Sequence, residues 1–253
     1  MTALDLSPAP EAAPPAKRIL RHGLIEARLL IRNGEQLLLA LVIPVAILVA
    51  GRFVKSSVGS LDLLGPSVLA LAVWSSAFTS TAISTAFERR YGVLERLATT
   101  PLGKPGLLAG KALAVVMIMI GQLVILTGVA LGLGWRPRFI PLSAALAVLE
   151  VVLATTTFVC LALLLAGRLR AESVLGFANL IYVILLIGGA LIIPVARYPA
   201  ALRPVIEALP TAALGEGLRA AAHGQLLGWP VLVLLAWLVA AGLGAWKGFR
   251  WTS

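Results

Sequence analysis

The sequence predicts an all-α membrane protein: six transmembrane helices preceded by an amphipathic interfacial helix. Three observations point there. Of 253 residues, 60% are hydrophobic and 13% charged, and the mean hydropathy is +0.98. That leaves too little polar surface for a soluble domain. The apolar residues fall in long continuous runs, not in the two-residue alternation of a membrane barrel. Such runs fit helices, because backbone in lipid has to satisfy its own hydrogen bonds. The single cysteine, Cys160, lies inside one of these runs and excludes an internal disulfide framework. The formal charge of +10 fits basic loops on one side of a membrane better than it fits nucleic-acid binding.

Residues 1–16 are rich in Pro and Ala, carry no base, and read as a disordered tail without the basic start of a cleaved signal peptide. Residues 17–36 form an amphipathic helix: Leu20, Leu24, Ala27 and Ile31 share one face and Arg21, Arg28 and Arg32 another. It lies on the membrane surface or packs on a partner. The six-span membrane domain covers 37–246. Its spans are Leu37–Val54, Gly65–Ala86, Leu107–Leu133, Leu142–Ala166, Val174–Val195 and Gly228–Trp246, each near the ~20 residues that cross a bilayer. Pro44 and Arg52 interrupt the first. With the N-terminus inside, 14 of the 21 Lys and Arg residues fall on the inner side, which places both termini, including the tail 247–253, in the cytoplasm.

Between the fifth and sixth spans, residues 196–227 form a longer outer segment divided by Pro199, Pro204 and Pro210. It reads as two short helices that dip into the outer leaflet under cover of other protein, or as a simple surface loop. Between the second and third spans, "FERRYGVLERLATTPLGKPGLLAGKAL" packs five basic and two acidic residues into the inner side. As a helix over 87–98, it carries Phe87, Tyr91, Leu94 and Ala98 on one face and Glu88, Arg89, Gly92, Glu95 and Arg96 on the other, before Pro101 stops it. A short two-faced helix suits docking in a partner's groove; a loop that only sets topology needs no apolar stripe.

This segment resembles the cytoplasmic segment of the ABC-2 type permeases, the membrane subunits of bacterial ABC exporters. Glu88, Arg89, Gly92, Leu94, Glu95, Leu97, Pro101 and Lys111 match that pattern in order. The nearer likeness is to the daunorubicin-type drug-resistance permeases, and "LPTAALGEGLRAAAHG" resembles their outer segment. The resemblance implies that 87–98 is a coupling helix contacting a separate ATP-binding subunit. It further implies two such subunits holding ATP and Mg, and a second permease copy, identical or sister. The implied activity is outward transport, across the bacterial plasma membrane, of an amphipathic drug-, antibiotic- or lipid-like molecule. The chain carries no ATP site of its own: "GLLAGKA" has three residues between its glycines, where a phosphate loop needs four, and Ala112 after Lys111. No nucleophile elbow, paired-carboxylate site or metal-ligand spacing is present, so no catalysis, bound cofactor or metal is expected in this chain.

Candidate residues for a substrate path are Ser76, Thr79 and Ser80, from the hydroxyl-rich second span, and Glu150, about 12 Å into the fourth. The hydroxyls fit close helix packing equally well. Glu150 is either functional or a hydrogen-bonded structural acid. Gln122 and Asn179 read as ties between helices. The competing class is a secondary transporter driven by an ion gradient, which would show inverted repeats and several intramembrane carboxylates.

Overall fold

The computed structural model describes residues 13–32, 34–53 and 60–248, and among these every regular element is a helix. Among the described residues, five helices are long and apolar enough to cross a membrane: Leu61–Arg90, Pro105–Gly132, Pro141–Ala166, Ala171–Gly188 and Trp229–Gly248. A sixth apolar stretch, Leu41–Phe53, is shorter.

The first helix, α1, runs Pro15–Arg32, so the expected single helix over 17–36 is corrected at both ends. Pro15 opens it, as a residue with fixed φ and no N–H can at a first helical turn. Gly34–Gln36 belong instead to α2, Gly34–Phe53, which contains Pro44. α1 lies along α6, Gly103–Gly132, with Gly23 and Ala27 buried. The crossing is close because both helices present glycine. A Cβ on Gly23 would sit 3.0 Å from the Gly110 carbonyl oxygen, and one on Gly110 would run into the His22 ring. The glycines that imitate a phosphate loop are therefore packing residues. Leu20, Leu24 and Ile31 stay exposed, an apolar stripe left over for a bilayer surface.

The second span is longer than Gly65–Ala86. It runs unbroken from α3, Leu61–Trp74, through a π-helical turn, Ser75–Ser80, into α4, Thr81–Arg90. Its centre is an aromatic wedge: Trp74 stacks on Phe78 at 4.3 Å and meets the edge of Phe158 at 4.8 Å. The Phe158 ring comes from α7, Pro141–Ala166. Near the start of α3, a Cβ on Gly65 would lie 2.7 Å from the Trp135 ring, so only glycine admits that indole.

The fifth span, expected over Val174–Val195, is corrected: α8 is Ala171–Gly188. The helix ends at Gly188-Gly189, then Ala190 takes φ 54 and only a 3-10 turn, Val195–Arg197, follows. Paired glycines and Pro194 do not support another helical turn there. After α9, Arg203–Glu207, comes α10, Pro210–Ala222, twelve of whose thirteen residues are buried. The last helix, α11, is Trp229–Gly248. Residues 1–12, most of the expected tail, and 249–253 lie outside the described residues, as does Val54.

Candidate functional site

The helix expected over 87–98 is two helices. α4 ends at Arg90, Gly92 takes φ 68, and α5 spans only Val93–Ala98. A left-handed residue at this position stops a helix, and glycine reaches that conformation without a Cβ penalty. The break separates residues that one helix would have aligned. Phe87 packs half-buried against the core, and Leu94 is buried and anchors α5. Glu88 turns inward and accepts a bond from Lys111 Nζ at 2.5 Å. Arg89 is buried and donates to the Leu169 carbonyl, while Arg90 pairs with Glu172 of α8. Pro101 accepts a bond from Arg18 of α1. Of the expected docking residues, Tyr91, at 64% exposure, Glu95 and Arg96 face outward, joined by Val93. The basic and acidic residues of "FERR" thus fasten the end of the span to α6, the α7–α8 connection and α8, and the outward surface is the turn and α5.

Beside this surface lies an elongated cavity of about 310 Å³ bounded by α1, α2, the π turn, α4 and α6. One wall carries Ser76, Ser80, Thr81 and Ser84; the other is apolar, with Val115, Ile118 and Ile125. Glu26, Glu88 and Lys111 gather at its charged end. The π turn brings the hydroxyls to this wall: Thr81 Oγ1 donates to the Ser76 carbonyl at 3.1 Å, and Ser76 Oγ donates to Gln122 at 2.6 Å. Extra-wide turns of this kind recur where a helix borders a functional space. Ser76 and Ser80 are therefore brought together with Glu88. Thr79 is not part of the lining, and its buried hydroxyl has no hydrogen-bond partner among the described residues.

Glu150 is elsewhere. It is 2% exposed, and a Cβ on Gly217 of α10 would run into its carboxylate. Its Oε2 has no hydrogen-bond partner among the described residues. The structure places it at the α7–α10 contact, away from the cavity. α10 itself is fixed by a residue the sequence offered only as an outer-side charge. Arg219 donates to Ser67 Oγ at 2.8 Å, the Leu191 carbonyl at 2.9 Å, the Ala190 carbonyl at 2.7 Å and Glu216 at 3.0 Å. Glu216 also accepts the Val195 N–H at 2.7 Å. The signal was an acid and a base three residues apart in a helix that, after Pro210 and Thr211, is otherwise Ala, Gly and Leu.

The outer segment is tied to the helix bundle at both ends of α10. Trp237 lies eight residues into α11, about 12 Å along the axis, and donates to the Ala208 carbonyl at 2.7 Å. At the other end of α10, the Ala222 carbonyl accepts the Arg138 N–H, from the α6–α7 connection, at 2.7 Å. α10 packs among α3, α7 and α11.

No curated protein matches the chain. The family pattern described as ABC-2 type transporter matches residues 25–222, from the middle of α1 to the end of α10. That span takes in the charged turn, the cavity and the buried helix α10. The chain accordingly belongs to the ABC-2 type transporter family and is a multi-pass membrane permease subunit, of the kind that associates with an ATP-binding subunit.

Proposed function

We propose that this permease exports an amphipathic drug-, antibiotic- or lipid-like molecule across a bacterial plasma membrane. Two permeases, identical or sister, work with two ATPase subunits that hold ATP and Mg, and the chain itself is non-catalytic. Both termini and the α4–α5 turn face the cytoplasm. The observation that carries this reading is the turn at Gly92, which ends a 30-residue span and presents Tyr91, Glu95 and Arg96 outward on a short helix. Approach of the ATPases would press on α5. Because Leu94 and the bonds of Glu88, Arg89 and Arg90 tie this end to α6 and α8, the load enters the spans directly.

The test is affinity purification in mild detergent, followed by ATPase assay of the recovered complex. An ATP-binding protein should co-purify. The double reversal Glu95→Arg/Arg96→Glu should lower transport per ATP hydrolysed at least tenfold while expression and membrane insertion stay normal. Normal coupling in that variant would remove α5 from the contact. Transport that runs on an ion gradient without ATP would favour the secondary-transporter class instead.

A further inference from the structure

We propose that the cavity between α1, α2, α4 and α6 is a lateral entry site for a cationic amphiphile. The cation sits between Glu26 and Glu88, and the apolar body lies along Val115, Ile118 and Ile125. This rests on the permease reading above and supplies its substrate class.

Size and shape come first. A cavity of about 310 Å³ lies at the lower end of small-molecule sites. From Glu88 to Ser76 it follows twelve residues of helix, about 18 Å, so its occupant is long and narrow. Its two walls differ chemically along that length, hydroxyls on α4 and the π turn facing branched alkyl groups on α6. An amphipathic body matches both.

Charge then selects the head group. Two carboxylates and one ammonium line the charged end. Lys111 is committed to Glu88 at 2.5 Å, which leaves one negative charge in excess. His22, 3.9 Å from Glu26, does not cancel it, because burial pushes the imidazole below its ordinary value. Away from bulk water, such an excess is weakly screened and favours a cation.

Access follows from the outer rim. Leu30 and Ile31 of α1 and Leu41 of α2 line the cavity, and Ile31, an exposed apolar residue, puts its edge at the surface. A rim of this kind admits a molecule already dissolved in the bilayer interface. The π turn at the far end supplies the hydroxyls and reaches Gln122.

The experiment uses the full chain, without its ATPase, in phosphatidylcholine nanodiscs. It measures binding of dodecyltrimethylammonium and dodecyl sulfate, single-chain amphiphiles of the same alkyl length that differ in head-group charge. Saturable binding of the cation and none of the anion is expected. Glu26→Gln and Glu88→Gln should each weaken cation binding about tenfold, and the double variant should prefer the anion. Ser80→Phe should abolish saturable binding by filling the space, whereas Leu232→Phe on the exposed face of α11 should leave it intact. The proposal falls if the cation does not saturate, or if the charge variants leave both ions unchanged. It also falls if a phospholipid holds the cavity against the cation, or if Ser80→Phe acts by changing oligomeric state. With no ATPase in the assay, this result and the coupling result can fail separately.

Discussion

Arg219 carries the most concentrated polar chemistry in the apolar interior, four hydrogen bonds on a side chain 5% exposed. Removing it takes this donor from the Ala190 and Leu191 carbonyls and the countercharge from Glu216. Arg219→Ala should therefore destabilise the protein by about 3–5 kcal/mol, read as thermal unfolding in detergent. Arg219→Lys should recover little, because one ammonium cannot reproduce a planar fork that reaches two elements at once. At the other end, His22 packs half-buried against Gly110, and desolvation lowers its proton affinity below the ordinary 6.5. The lone Glu26 neighbour pulls the other way and Lys111 adds to the lowering. Detached α1 binds the proton better than docked α1 does. Docking stability is then complete above about pH 6.5 and declines as pH falls below it. Thermal stability should drop between pH 7 and pH 5 in the wild type, and His22→Gln should flatten that slope. Neither residue role was legible in the sequence. In the sequence Arg219 is one charge and His22 one of two histidines, but three of Arg219's four partners lie 28 to 152 residues away, and the Gly110 backbone against His22 is on another helix. Periodicity carries no information about such pairs.

Among elements, the long apolar spans were legible because length and continuity are properties of the local chain. Their ends were not all legible. The fifth span ran too far because the apolar run continues past Gly188-Gly189, and hydropathy ignores a backbone that turns. The charged helix was drawn through Gly92 because its apolar residues keep helical spacing on both sides of a left-handed residue. The π turn left no trace, since Ser and Thr suit an ordinary interhelical contact. Gly92→Ala should cost about 1 kcal/mol, from strain alone, because nothing lies within 4 Å of the added Cβ. Coupling should weaken with it as α5 is re-aimed. Gly110→Leu should do more, pushing the His22 ring and lifting α1 from α6 at a cost of about 1–3 kcal/mol. Limited proteolysis would show α1 cut faster while the remaining spans stay protected.

For the whole molecule, the family and the general architecture were legible, while the cavity was not, since it needs four helices brought together from residues 26 to 125. The orientation proposed from basic residues has a direct check. Single cysteines replacing Arg21 and Arg28 should react with an impermeant thiol reagent only from the cytoplasmic side, after Cys160 is replaced. The unbroken span Leu61–Arg90 also has a mechanical meaning. It is wedged at Trp74 by Phe158 of α7, held at Ser67 by Arg219 and, on the coupling proposed above, loaded at Arg90. A stiff rod pinned at the wedge is a lever with arms of about 10 Å and 24 Å. A stroke of about 5 Å at the ATPase end would shrink to about 2 Å at Ser67, in the opposite direction and with roughly doubled force. Such gearing trades travel for grip, which suits prising apart a tightly packed outer closure such as the one α10 makes with its neighbours.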